Sequence, residues 1–201
     1  MAVAFRALPA LALMALAACS PYAEAQTTSR NGKPLEQIAG PNCSPEQRQA
    51  VDNAVVEARR RLAMAIAFVQ QRPNDPYVQR WFGQGQSDTV LKTLRVTATR
   101  MDRMQEITIN CNDPNTCRSQ FAYARRTSNL LGLCQPFFRA RLDGGQDNRW
   151  GIVIHEMTHI AAGTGDYAYQ PRGAQVLAKE DPSRAARNAD SYEYFVEFLP
   201  N

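Results

Sequence analysis

Apolar residues recur at helical spacing over the first strongly patterned segment of the chain, residues 44–69. They fall on one stripe: Val51, Ala54, Val55, Ala58, Leu62, Ala65, Ile66 and Val69. Ser44 precedes Pro45, and Gln47 stands three positions after the serine, which is typical of a capped helix start. The pattern therefore predicts a long amphipathic helix that begins just after Ser44.

The pattern changes twice further along the chain. Residues 72–76 break the first helix, and a second helix is predicted over about 87–104, so the two form an αα-hairpin. Within 107–138 the stretches "EITIN", "FAYARR" and "NLLGLC" predict three short strands. A loop at 142–148 precedes another helical segment and two short helical pieces. The predicted class is α+β, with an N-terminal helical hairpin, a small β-sheet and C-terminal helices.

The first residues have the pattern of a targeting segment rather than of a folded element. Arg6 precedes an apolar run at 7–18 that is too short to span a bilayer and ends at Cys19. Residues 1–18 thus resemble a bacterial lipoprotein signal, after which Cys19 would carry a lipid that anchors the exported protein to the membrane. An A-x-A pattern at 23–25 leaves a second possibility, ordinary secretion to the periplasm or the medium.

Composition places the rest of the chain among ordinary globular proteins. Residues 19–42 are rich in turn-forming and polar types and predict a tether, and residues 43–201 predict one domain. Apolar residues make up 44% of the chain and the net charge is +4, which is too mild to indicate a nucleic-acid partner. We expect a monomer.

Five cysteines constrain the fold. If Cys19 is removed or lipidated, an even four remain: Cys43, Cys111, Cys117 and Cys134. Export would place them where disulfides persist, and four cysteines allow three connectivities. No C-x-x-C pair is present, so two disulfides are expected rather than a zinc ribbon.

Both histidines of the chain lie in one segment, "HEMTH", as His155 and His159 with Glu156 beside the first. Residues four apart share a helix face, so both imidazoles can bind one metal ion. One helix cannot surround a zinc ion, and a third protein ligand must come from elsewhere, with a water in the fourth position. Glu156 is then placed to take a proton from that water.

The third ligand has more than one candidate. No third histidine exists, which excludes plans that need one. Glu180 has the spacing of a thermolysin-like ligand but stands in a predicted helix break. Asp166 follows His159 by seven residues, and Gly163 can end the helix and let the chain turn back to the metal. We favour Asp166, whose carboxylate oxygen suits zinc.

"HEMTH", "GTGDYAY" and the later "NADSYEYF" together resemble the aspzincin metallopeptidases, the deuterolysin and peptidyl-Lys metalloendopeptidase family. "WFG" at 81–83 and the order of the four cysteines resemble its lysine-specific branch. The resemblance implies a zincin-like metallopeptidase domain that uses Zn²⁺ to hydrolyse protein or peptide substrates. It also implies that His155, His159 and Asp166 are the zinc ligands and that Glu156 is the catalytic base.

Further expectations come from the same resemblance. The family's disulfides imply Cys43–Cys111 and Cys117–Cys134. Tyr169, three residues after Asp166, matches a tyrosine that donates its phenol to the negatively charged oxygen formed during hydrolysis. The sequence departs from the family at Gln170, where glycine is common, so the path of the loop beyond Tyr169 stays open.

Asp190 and Glu193 are three apart and would share a helix face. Two carboxylates in one pocket repel each other unless a cation lies between them, although the same spacing also fits a helix-start capping pair. The resemblance implies that they line the substrate pocket, with cleavage on the amino side of lysine. The alternatives are a deuterolysin-like peptidase without lysine preference and a non-catalytic zinc-binding lipoprotein module.

Overall fold

The computed structural model describes residue 40 and residues 42–200. The predicted signal segment, Cys19 and nearly all of the predicted tether lie outside the described residues, so they stay predictions. Within residues 40 and 42–200, none of the helices combines the length and the apolar character needed to cross a bilayer.

The predicted long first helix is present as α1 (Pro45–Gln71). Its start is a capping box, because the Ser44 side chain accepts from the Gln47 backbone N–H and the Gln47 side chain accepts from the Ser44 N–H. The apolar stripe of α1 is buried and packs against α3 (Ser87–Met101), so the predicted pairing of two long helices is confirmed. A separate 3₁₀ turn follows α3 at Met104–Glu106.

One helix between these two was not predicted. It is α2 (Pro76–Phe82), which begins at the stretch that the sequence indicated only as a break. Asp75 caps it, accepting from the Tyr77 N–H at 2.8 Å, and Pro76 occupies the first turn, where proline is tolerated. The same residues that end one helix can therefore begin the next.

The three predicted strands form one sheet: β1 (Thr108–Cys111), β2 (Ala122–Arg125) and β3 (Leu130–Leu133). The spatial order is β1-β3-β2, with β3 parallel to β1 and antiparallel to β2. The strand β2 is consequently an edge of the sheet, and it packs against the helix that carries the two histidines.

Two disulfides hold this sheet to its surroundings. Cys43 bonds to Cys111, joining the start of α1 to the end of β1, and Cys117 bonds to Cys134, joining a loop to the end of β3. Both pairings agree with those implied by the family resemblance. A crosslink that spans 68 residues restricts the unfolded chain strongly and typically adds about 2–4 kcal/mol to stability.

The second half of the chain is helical. A short helix that was not predicted, α4 (Gln135–Arg139), follows β3, and the histidine-bearing helix is α5 (Arg149–Ala162). Three helices follow where two short ones were predicted: α6 (Gln170–Glu180), α7 (Pro182–Ala185) and α8 (Ala189–Glu197). The α+β class is confirmed, and α5 is central because it packs against α1, α3, α8 and β2.

Candidate active site

Helix α5 carries the histidine pair, and both of its ends are well defined. Asn148 caps its first turn, accepting from the Gly151 N–H at 2.9 Å. Gly163 ends the helix with left-handed dihedrals, φ 69° and ψ 37°, which glycine adopts without a Cβ penalty. The chain therefore reverses one turn beyond His159, as the sequence predicted.

This reversal brings Asp166 to the two histidines. Asp166 Oδ1 lies 3.2 Å from His155 Nε2 and 3.2 Å from His159 Nε2, and the two Nε2 atoms are 3.2 Å apart. Donors about 2.0 Å from a tetrahedral zinc ion would be about 3.3 Å from one another. The three atoms thus form one face of a zinc-sized tetrahedron, and the donor set of two imidazoles and a carboxylate suits that metal. Glu180, the alternative ligand, belongs to neither donor cluster found among the described residues.

The loop after α5 also orients the second imidazole. His159 Nδ1 lies 2.8 Å from the Thr164 carbonyl oxygen, which can accept only if Nδ1 carries the proton. The lone pair of His159 is then on Nε2, the atom that faces Asp166. Such an outer hydrogen bond fixes both the tautomer and the ring direction of a metal ligand.

Asn188 holds the loop that carries Asp166, a role that was not predicted from the sequence. Its Oδ1 accepts from the Tyr167 N–H at 2.9 Å and from the Ala168 N–H at 3.1 Å. Gly165 pairs with Asn188 as an isolated parallel bridge. Asn188 is fully buried just before α8, so its amide oxygen replaces water for a turn that would otherwise have unpaired N–H groups. The contact joins residues about twenty positions apart, which no local pattern could indicate.

We name the three atoms His155 Nε2, His159 Nε2 and Asp166 Oδ1 the donor triangle. Glu156 lies next to His155 on α5 and is only 6% exposed. Burial raises the pKa of its carboxyl to about 7, although the adjacent His155 and His159 oppose the shift. A carboxyl with a pKa near the working pH is suited to both accept and donate a proton.

Asp190 and Glu193 are brought together on α8, as predicted, and both face the other side of His155. Asp190 Oδ1 and Glu193 Oε2 each lie 3.0 Å from His155 Nδ1. Burial raises the pKa of the Glu193 carboxyl, and the nearby Asp190 adds to the shift. Two buried carboxylates at this spacing favour a cation between or beside them.

Tyr169 and Gln170 line the same region from the start of α6. Tyr169 is 64% exposed, so it is not a packed aromatic. Gln170 has a left-handed φ of 67°, at the position where the resemblance led us to expect glycine. This conformation points the Gln170 N–H at Asp190 Oδ2, 2.6 Å away. The unusual backbone thereby contributes to holding Asp190.

A cavity of about 250 Å³, which we name the acidic cavity, opens at these carboxylates. Phe121, Ala122 and Ile152 give it an apolar side. Its polar lining contains these residues: Gln120, Asp147, His155, Glu156, Asp166, Tyr169, Gln170, Asp190, Glu193 and Tyr194. No lysine or arginine occurs among the described residues that line it. The acidic cavity suits a ligand group with an apolar stem and a positive end.

Comparison with known proteins agrees with this geometry. The family model of the aspzincins, described as lysine-specific metallo-endopeptidases, matches residues 67–197. A peptidyl-Lys metalloendopeptidase of Grifola frondosa is 31% identical over 196 residues, covering 89% of this chain and 54% of the relative. An extracellular protease of Aeromonas hydrophila is 31% identical over 140 residues, covering 65% of this chain and 38% of that protein.

The solved zinc peptidase from Grifola frondosa superposes with a TM-score of 0.69 at 30% identity, covering 77% of this chain and 96% of that one. The chain belongs to the aspzincin family of zinc metalloendopeptidases. The predicted family, fold class and class of enzyme are thereby confirmed. Family membership implies a metal ion, generally zinc.

Proposed function

We propose that the chain is an exported zinc endopeptidase that cleaves peptide bonds on the amino side of lysine. The observation that carries this proposal is the meeting of two features at Glu156. The acidic cavity is lined by Glu156 together with His155 and Asp166, two members of the donor triangle that His159 completes. The family membership supports the activity, and the lysine-specific relative supports the choice of residue.

Different residues of the chain have different roles in hydrolysis. His155, His159 and Asp166 would hold zinc, which when bound lowers the pKa of water and polarises a carbonyl. Glu156 takes the proton of the attacking water and passes it to the leaving amine. Tyr169 lines the cavity beside Asp166 and can donate its phenol to the oxygen that becomes negative during the reaction.

The acidic cavity provides the specificity. The methylene groups of a lysine side chain would pack on Phe121 and Ile152, and its ammonium would neutralise the repulsion between Asp190 and Glu193. Arginine carries a larger planar fork instead of a compact ammonium, so we expect it to fit this small cavity less well.

A separate observation favours a second role for Asp190 and Glu193. Both carboxylates lie 3.0 Å from His155 Nδ1, where they could orient a ligand imidazole without contacting substrate. This would correspond to a peptidase without lysine preference. A non-catalytic zinc-binding module is less favoured, because it would not need the buried Glu156.

The proposal includes export. The segment 1–18 would direct it, with Cys19 lipidated or, after cleavage at 23–25, absent. The two disulfides suit an oxidising compartment, and one relative is an extracellular protease. Partitioning into detergent, lost in Cys19→Ser, would support the lipid anchor. A wild-type protein that is soluble and begins after residue 25 would contradict it.

Mapping cleavage sites in a denatured protein tests activity and specificity together. We expect cuts before lysine that stop when a chelator is added. Glu156→Gln should keep zinc and lose about 10²–10⁴ in rate, since only the proton acceptor changes. Cuts without lysine preference would refute the specificity, and full activity of Glu156→Gln would refute the assigned base.

A further inference from the structure

A second cavity adjoins the acidic cavity. It has a volume of about 550 Å³, and it shares Ala122, Glu156 and Asp166 with the first. Where the acidic cavity includes His155, this one includes His159. The two cavities therefore meet at the proposed reacting centre, and each extends from a different histidine.

The two cavities share the carboxylates of Glu156 and Asp166 but differ in their other charged side chains. Among the described residues that line the second cavity, Arg126 is the one lysine or arginine. We name this second cavity the arginine cavity. Arg126 is exposed, at the first position of the 3₁₀ turn after β2, and its guanidinium lies against Gly163 at the end of α5. With the described carboxylates Arg126 forms no ion pair. Its charge is consequently available to a ligand in the cavity.

We propose that the arginine cavity binds an acidic side chain of the substrate, at one of the two residues before the scissile bond. The inference rests on the proposed function and deepens it. If lysine enters the acidic cavity, the bond to be cleaved lies at Glu156, and the preceding residues must leave through the adjoining space. Arg126 then favours a carboxylate and disfavours a cation there. The preferred substrates are sequences in which glutamate or aspartate shortly precedes lysine.

A purely structural role for Arg126 is the competing explanation. A cation near the last carbonyl groups of a helix stabilises it, and Gly163 is where α5 ends. Loss of that interaction would lower the unfolding temperature and would slow all substrates equally. A role in binding would instead change the ratio of rates between substrates that differ only in charge.

Synthetic peptides with one fixed lysine test this difference in the zinc-loaded enzyme. Glutamate, glutamine or arginine is placed at each of the two positions before the cleaved bond. We expect kcat/KM to be about two- to fivefold higher for glutamate than for glutamine at one of these positions, with arginine slowest. The advantage should shrink when salt is raised, because the contact is exposed.

Variants locate the preference. Arg126→Gln should abolish the ratio, Arg126→Lys should keep it, and Arg126→Glu should reverse it in favour of arginine. Arg139→Gln, which changes an exposed arginine outside both cavities, should leave it intact. Equal rates for glutamate and glutamine at both positions in wild type, or an unchanged ratio in Arg126→Gln, would overturn the inference while cleavage before lysine still upheld the proposed function. No cleavage before lysine in any peptide would overturn both.

Discussion

Helix α8 has two faces that differ in polarity and in the contacts that hold them. Tyr192 and Phe195 point into an aromatic core, and the Tyr192 hydroxyl donates to the Ala186 carbonyl oxygen at 2.6 Å. Asp190, Glu193 and Glu197, spaced three and four apart, point toward α5 and its site. The apolar face stabilises the fold, whereas the acidic face brings three carboxylates out of water and depends on partners from other segments. One helix thus contributes both to the core and to the carboxylates beside the candidate site.

The largest effect on stability should come from the aromatic face. Phe195 is fully buried, and its ring lies 5.2 Å from that of Phe82 and 5.4 Å from that of Tyr77. Phe195→Ala should lower the free energy of unfolding by about 3–5 kcal/mol, since it removes a large side chain and leaves a cavity. Denaturant unfolding measures this. Phe198→Ala, at a 42% exposed position, is the control and should cost much less.

Substitutions on the acidic face should change activity more than stability. Asp190→Asn should reduce cleavage before lysine by about 2–5 kcal/mol of transition-state stabilisation. The substitution removes one of the two carboxylates that would pair with the ammonium of the substrate lysine. The measurement is kcat/KM on matched peptides with lysine or arginine after the cleaved bond, at saturating zinc. Glu193→Gln should act in the same direction.

Zinc affinity distinguishes the two roles of these carboxylates. If Asp190 acts mainly on His155 Nδ1, 3.0 Å away, Asp190→Asn should weaken zinc binding by about 10–100-fold and leave the preference for lysine unchanged. That outcome would contradict the substrate pocket. It would also make the acidic face a support for the metal site.

Glu197 lies at the far end of the acidic face and should make stability depend on pH. Its carboxylate accepts from the Asn148 N–H at 2.9 Å and from the Asp147 N–H at 3.2 Å, at the start of α5. Burial and the neighbouring Glu193 raise the pKa of Glu197 to about 9. The folded state therefore keeps a proton that the unfolded state releases above about pH 4.5, and this contribution to stability is lost as the pH rises toward about 9.

Glu197→Gln should flatten that dependence, because the amide has no proton to lose. Between about pH 6 and about pH 9, with a chelator present, we expect wild type to lose on the order of 1–3 kcal/mol more than the variant. This is less than the full 1.36 kcal/mol per pH unit, since the folded carboxyl itself ionises as the pH approaches about 9 and Glu197 is only partly buried. Glu180→Gln, at an exposed carboxyl, should follow wild type. Parallel curves for Glu197→Gln and wild type would show that Glu197 is ionised throughout.

Parts of the fold and of the candidate site that depend on local patterns could be predicted from the sequence, and parts that depend on distant contacts could not. The apolar stripe of α1 and the spacing of His155 and His159 are local patterns, so helix and metal motif could be predicted from them. Helix α2 was missed because Asp75 and Pro76 both end one helix and begin another. The strand order β1-β3-β2 and the role of Asn188 depend on contacts between distant segments, which periodicity does not contain.

The smallest predicted effect concerns Gln170, where the acidic face receives its N–H donor. A residue with a Cβ in the left-handed region costs about 1–2 kcal/mol, and the φ of 67° places Gln170 there. Gln170→Gly removes this strain but gains chain entropy in the unfolded state and loses the side-chain bond from Gln146, so the net stabilisation should be only about 0.5–1 kcal/mol. Thermal unfolding measures it, with Gln146→Ala as the control that removes the amide pair alone.

Cleavage before lysine should survive Gln170→Gly, because the contact to Asp190 Oδ2 comes from the backbone N–H and not from the side chain. A glycine at this position can adopt other conformations as readily, however, and the N–H is useful only in one of them. If the variant is more stable but loses its preference for lysine over arginine, the strain at Gln170 serves the site. The aromatic face then stabilises a backbone conformation that the acidic face requires.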